Sequence, residues 1–134
     1  MYETILVPVD LGHAEEGSKA LRRARKMGGR QARIVALYVA PDIPGFVATQ
    51  LPEEVMEEHL AEARAKLSTH AVGVGAEVEV RSGHPSTGIL EYANEIGADL
   101  IIMASHHPGV QDYFLGSTAA RVVRHAECSV LVER

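Results

Sequence analysis

The chain is short of several residue types, and each shortage narrows what it can do. It has one cysteine, Cys128. No internal disulfide can form, and a reducing cytoplasm is the expected compartment. The longest uninterrupted apolar run, Ile34 to Ala40, is seven residues. A membrane-spanning helix needs about 20, so no membrane partner is expected. The first residues, Met1-Tyr2-Glu3-Thr4, set no basic segment and no separate apolar core ahead of a strand-like run, so no secretory leader is expected. Lysine occurs only at Lys19, Lys26 and Lys66. A phosphoacceptor receiver domain wants a lysine after its last strands, and this chain has none there. Net charge is −5 and the pI is near 5.8. Nucleic acid is therefore not an expected partner, because a phosphate backbone is held by a surplus of Lys and Arg. No Gly-x-Gly-x-x-Gly fingerprint occurs.

What remains is an ordinary globular composition, 46% apolar and 23% charged over 134 residues. That is the size of one domain, expected to span residues 1–134. Ile5-Leu6-Val7-Pro8-Val9 reads as a first strand ending at Asp10. Ala20, Leu21, Ala24 and Met27 recur at helical spacing until Gly28-Gly29 stops the helix. Ile34 to Ala40 is a second strand, ended by Pro41, and the stretch through Pro44, Gly45 and Pro52 reads as a loop. Met56, Leu60, Ala63 and Leu67 mark a second helix, with Glu53, Glu54, Glu57 and Glu58 toward its positive end. Ala76 to Val80 is a weaker third strand whose alternating Glu77 and Glu79 suit an edge. Pro85 fits the first turn of a third helix carrying Ile89, Leu90, Ala93 and Ile96, stopped by Gly97. Leu100 to Met103 is a fourth strand, Ala119, Val122, Val123 and Ala126 a last helix, and Ser129 to Val132 a fifth strand.

Short, continuously apolar strands alternating with amphipathic helices indicate an α/β fold. The sheet should be parallel and doubly wound, with helices on both faces. Right-handed crossovers leave few arrangements. The five-stranded order 3-2-1-4-5 is the expectation, with the flavodoxin-like 2-1-3-4-5 as its relative. Pro8 cannot donate to a central ladder, so it belongs at the last rung of its strand.

In such sheets ligands bind beyond the carboxyl ends of the strands, where the order reverses. For 3-2-1-4-5 that crevice lies between strands one and four. It brings Pro8, Val9 and Asp10 opposite Met103, Ala104, Ser105, His106 and His107. The loop after strand four is long for its kind and ends Gly116-Ser117-Thr118 at a helix start. Backbone N–H groups, two hydroxyls and the positive helix end together suit an anion. The alternative is that Ser117 or Thr118 simply caps the helix. Gly12 to Lys19 imitates a P-loop, but its last pair is reversed and Glu15 and Glu16 stand where phosphates would sit. A helix N-terminus with favourable acids explains it better. His106 and His107 are adjacent, so their side chains should diverge, and a protein metal site needs at least three converging ligands, so no metal ligands are assigned.

Three segments resemble the universal stress protein family, of the nucleotide-binding type. They are Ile5-Leu6-Val7-Pro8-Val9-Asp10, then Gly97-Ala98-Asp99-Leu100-Ile101-Ile102-Met103-Ala104-Ser105-His106. The third runs from Leu115-Gly116-Ser117-Thr118 through Ala126 and on into Cys128-Ser129-Val130-Leu131-Val132. The resemblance implies a stress-response protein that binds ATP, or ADP or AMP, with Mg²⁺ carried by the phosphates. Asp10 and the backbone near Val39 would face adenine and ribose. Met103 to Ser105 would line the ribose side, and His106 to Gly109, with Gly116, Ser117 and Thr118, would hold phosphates. Such members carry Gly-x2-Gly-x9-Gly-Ser/Thr after strand four. Here Ala104 and His107 stand at the first two glycines, eight residues separate His107 from Gly116, and Gly109 is the candidate for the close backbone approach. A subgroup with Ser-His-x-Pro-Gly and a shortened loop is more similar. The resemblance also implies a homodimer formed through residues 129–133. It points to a regulatory role, not an enzyme. The alternatives are a nucleotide-free dimeric scaffold and a slow ATPase or autokinase.

Overall fold

The computed structural model describes residues 1–42, 52–105 and 115–134. Its strands are β1 (Thr4–Pro8), β2 (Arg33–Ala40), β3 (Glu77–Ser82), β4 (Leu100–Ala104) and β5 (Ser129–Glu133). The helices among the described residues are α1 (Ala14–Gly28), α2 (Glu53–Ala71), α3 (Pro85–Ile96) and α4 (Ser117–His125). The strands form one parallel sheet in the order β3-β2-β1-β4-β5, the first of the two expected topologies.

The strand period of two divides the core between the two faces. On one side, Ile5, Val7 and Val9 of the β1 segment pack with Ile34, Ala36, Leu100 and Ile102 under α1 and α2, which contribute Leu21, Ala24 and Leu67. On the other, Leu6, Val35, Leu37, Val39, Ile101 and Met103 pack under α3 and α4, which contribute Ile89, Ala93, Ala119 and Val122. The three central strands thus read as unbroken apolar runs because both of their faces are covered. Each buried Leu, Ile or Val side chain contributes about 1.5–3 kcal/mol of transfer free energy.

Pro8 is the last residue of β1, as expected. The Val9 N–H donates to the Leu37 carbonyl at 2.8 Å, so Val9 addresses β2. Neighbouring residues address opposite sides, so the missing donor of Pro8 faces β4. The β1–β4 ladder has already ended at the Leu6–Ile101 rung. The proline therefore removes no ladder bond and sits where the two strands part.

β3 runs from Glu77 to Ser82, two residues further than the hydrophobic pattern suggested. Arg81 continues the strand because its guanidinium stacks 4.6 Å from the Tyr92 ring centroid and pairs with Glu95 at 2.7 Å. α3 begins at Pro85 and is closed by Gly97 at a positive φ of 66°, a conformation that costs a glycine little.

Two polar braces fix the end of the sheet opposite the crevice. The Asp99 carboxylate, just before β4, accepts from the Glu3 N–H at 2.9 Å and the Thr4 N–H at 3.0 Å. It thereby ties the start of β1 to the start of β4. Burial alone pushes the Asp99 carboxyl up, but these backbone donors outweigh it and hold it below the usual carboxylate range. Arg25, in the last turn of α1, donates to five carbonyl oxygens: Val74, Gly75, Gly29, Arg30 and Ala32, at 2.7–3.4 Å. One planar guanidinium thus joins the end of α1, the turn after α2 and the approach to β2.

Candidate functional site

At the carboxyl ends of β1 and β4, the structure holds a cavity of about 350 Å³. Its inner wall is apolar and comes from strand ends and α3: Leu37, Val39, Met103 and Ile89. Its rim is polar. Asp10, His13 and Glu16 stand on one side, and Ser105, Ser117 and Thr118 on the other. Pockets that bury small molecules run from about 300 to 1,000 Å³, so this one suits a compact ligand.

Two glycines set its width. A Cβ at Gly17 would lie 2.6 Å from Val9 Cγ1, so α1 crosses the end of β1 closer than any other residue allows. A Cβ at Gly88 would lie 3.1 Å from both γ carbons of Val39, so α3 also passes close to β2, though less tightly. The helices therefore pinch the strand ends, and Val9 and Val39 form part of the floor.

Asp10 caps the turn that follows β1. Its Oδ1 accepts from the Gly12 N–H at 2.9 Å, and its Oδ2 lies 3.2 Å from His13 Nδ1. The Asp10 carbonyl accepts from the His13 N–H at 2.9 Å. This bonding holds the acid at the mouth of the cavity. Across the crevice, Ser105 is buried and closes the end of β4. Its N–H donates to the Glu133 carbonyl, and its own carbonyl accepts from the Gly116 N–H, both at 3.1 Å.

α4 starts with Gly116 in the capping position and no side-chain cap. The alternative of Ser117 or Thr118 as cap is thus not what the structure adopts. Among the described residues nothing gives Gly116 a steric reason to be glycine. Its φ is −59°, and among the described residues an added Cβ would meet only the Ser105 carbonyl oxygen, at an ordinary 3.5 Å.

Ten of the residues singled out in the sequence line this one cavity: Pro8, Val9, Asp10, Val39, Met103, Ala104, Ser105, Gly116, Ser117 and Thr118. His106, His107 and Gly109 lie outside the described residues. Glu16 is a second carboxylate on the rim beside Asp10, and the sequence reading did not foresee it. Glu16 reaches the rim because α1 starts at Ala14, directly after the turn that Asp10 caps. His13, Gly17, Tyr38, Pro85 and Ile89 were also not foreseen. The available signal was Gly17, a glycine inside a helix, where it costs about 1 kcal/mol unless something passes close by. Among the described residues no three His, Cys, Asp or Glu side chains gather as metal ligands, and no helix is long and apolar enough to cross a membrane.

The fold and its crevice define a doubly wound α/β protein with a ligand cavity at its topological switch point. The whole chain, residues 1–134, matches the Universal stress protein family. It is 34% identical over 142 residues to Universal stress protein G of Escherichia coli O157:H7, with both chains fully covered. Universal stress protein UspA from Lactobacillus plantarum has a similar solved structure, with a TM-score of 0.79 and 27% identity over 99% of this chain and 98% of that one. Two more distant structures share the fold at 20% identity. One is a universal stress protein in complex with cAMP, with a TM-score of 0.67 over 99% of this chain and 97% of that one. The other is the universal stress protein from Archaeoglobus fulgidus in complex with dAMP, with a TM-score of 0.60 over 99% and 98%. The chain belongs to the Universal stress protein family.

Proposed function

We propose that the chain is a regulatory module that binds an adenine nucleotide (ATP, ADP or AMP, with any Mg²⁺ carried by the phosphates) in the crevice between β1 and β4. One observation carries the reading. An apolar slot and a helix N-terminus with no side-chain cap open onto the same cavity at the switch point, and Gly116 sits there at an ordinary φ with no described residue crowding it. The slot suits a flat base and the helix end suits a phosphate. The complexes of related folds with cAMP and dAMP support an adenine nucleotide as the ligand class. By this reading, Val39 and Met103 flank the base and Asp10 serves the nucleoside. Gly116, Ser117 and Thr118 meet the phosphate, and His106, His107 and Gly109 contribute from the intervening segment.

Recognition, not turnover, is the proposed role. The Asp10 carboxylate is engaged by the Gly12 N–H and by His13, which suits a fixed recognition group. A homodimer through β5 belongs to the same reading. β5 is an edge strand with apolar Val130, Leu131 and Val132, and such edges call for cover.

The test begins with protein purified without added ligand. Denaturation and mass spectrometry should release adenine nucleotide, and titration calorimetry should show binding. Gly116→Val should abolish binding while the thermal melt changes little, since no described residue crowds an added Cβ there. Equal affinity in that folded variant removes the crevice as the site. Absence of bound nucleotide together with flat titrations leaves the scaffold reading in its place.

A further inference from the structure

The sheet has two outer strands, β3 and β5, and the structure treats their edges differently. Just past β3, the Gly83 N–H donates to the Ala40 carbonyl of β2 at 2.9 Å. By alternation, Glu77, Glu79 and Arg81 turn their backbone groups toward β2, whereas Val78 and Val80 turn theirs to the outer edge. Side chains occupy two of those outward groups. The Val78 carbonyl accepts from Arg64 Nη1 at 3.3 Å, and the Val80 N–H donates to Glu79 Oε1 at 3.2 Å. Arg64 Nη2 lies 3.8 Å from the same Glu79 oxygen. These two side chains meet around the edge of the sheet. Arg64 comes from α2, which packs on the face that holds the Val78 and Val80 side chains. Glu79 comes from the opposite face, where Arg81 pairs with it at 3.8 Å and with Glu95 of α3 at 2.7 Å.

A strand added beside β3, in either direction, must donate to the Val78 carbonyl and accept from the Val80 N–H. Arg64 and Glu79 supply that donor and that acceptor from within the chain. We infer that the Arg64–Glu79 pair closes the β3 edge to strand pairing and so confines edge-to-edge assembly to β5. The strand it keeps out is β3 of a second copy. Open outer edges template such pairing, and charged side chains laid over them prevent it. In β5, Val130 and Val132 face outward, and no side chain among the described residues bonds to their backbone. The difference has a consequence for assembly. With one open edge, a two-fold pair of copies is complete. With two open edges, copies can add without end. The inference stands apart from the nucleotide reading, since none of these residues lines the crevice.

The experiment is light scattering of the full-length protein across micromolar concentrations, with a thermal melt of each variant. Arg64→Met and Glu79→Val each uncover one edge group, and the double variant uncovers both. The double variant should reach at least about twice the wild-type mass, because pairing through a second edge doubles the assembly. Glu79→Gln keeps an acceptor for the Val80 N–H and should keep the wild-type mass. Glu77→Val is the control. It removes an equal charge from the same face of β3, uncovers no outward group, and should also keep the wild-type mass. A folded double variant at the wild-type mass overturns the inference. So does an equal rise in mass for Glu77→Val. Hydrogen exchange on wild type gives a reading that no variant's folding can disturb. The Val80 amide should exchange at least about fivefold more slowly than the outward-facing Ser82 amide, after correction for sequence. Equal rates mean that the edge is uncapped, and overturn the inference as well.

Discussion

Asp99→Ala should destabilise the protein without touching the crevice. The Asp99 carboxylate accepts from two backbone N–H groups at the start of β1, those of Glu3 and Thr4. Hydrogen bonds to a charged group contribute about 1.5–3 kcal/mol each when shielded. The Glu3 donor is exposed and regains water, whereas the Thr4 donor is partly buried and does not fully. A net loss of about 2 kcal/mol follows, most of it from Thr4. For a chain of this length that lowers the Tm by about 8 °C. Asp99→Asn keeps one acceptor oxygen and should lose about half as much. The pH dependence has a definite sign. The folded carboxyl lies below its ordinary value because the Glu3 and Thr4 donors outweigh the opposing effect of burial. Its contribution is therefore complete above the ordinary carboxylate range. It is lost as the pH falls through the lowered value. Urea denaturation from pH 7 downward reads both quantities. The reasoning fails if Asp99→Ala stays within about 0.5 kcal/mol of wild type. It also fails if Asp99→Asn keeps the full wild-type loss of stability on acidification. Nucleotide affinity should be unchanged in both variants, since Asp99 sits at the other end of β4 from Ser105.

Three further outcomes are expected. Arg25→Met removes donors to five carbonyls that converge from three segments, and should cost about 2–3 kcal/mol in urea denaturation; a loss below about 0.5 kcal/mol contradicts the brace. Gly17→Ala forces a methyl to within 2.6 Å of Val9 Cγ1. It should destabilise by about 1 kcal/mol despite the gain in helix propensity, and Val9→Ala in the same chain should show a favourable coupling in a double-mutant cycle. In β5, the Glu133 carbonyl faces β4, where the Ser105 N–H reaches it, so by alternation Leu131 also faces inward and Val130 faces the open edge. Val130→Pro should therefore yield a folded monomer by light scattering and Leu131→Pro a poorly folded chain, while a wild-type monomer at micromolar concentration removes the dimer altogether.

The three inner strands and both faces of the core were legible because burial on two sides demands unbroken apolar runs, and Ile5–Val9, Ile34–Ala40 and Leu100–Met103 supply them. The strand order was not fixed by those runs. Orders 3-2-1-4-5 and 2-1-3-4-5 both satisfy right-handed crossovers, and the alternating Glu77 and Glu79, which suit an edge, fit only the first, where strand three is outermost. The end of β3 was missed because Arg81 looks like a loop residue in one dimension. Its guanidinium finds the Tyr92 ring and the Glu95 carboxylate only once α3 folds back beside the strand. At the site, the strand-end residues were legible because the switch-point rule names the carboxyl ends. The residues of α1 and α3 were not, because their place depends on how closely Gly17 and Gly88 let those helices approach.

The segments that carry the family resemblance prove to have two different physical origins. Gly97 and Asp99 serve architecture. One closes α3 at positive φ, and the other ties β4 to β1 at the end of the sheet away from the crevice. Their presence predicts the fold and says nothing about a ligand. Gly116 is the opposite case, since its φ suits any residue, no described residue crowds an added Cβ there, and the helix it starts has no side-chain cap. A residue type that the fold does not require, at a helix end facing a cavity, is better evidence of a ligand than the motif around it.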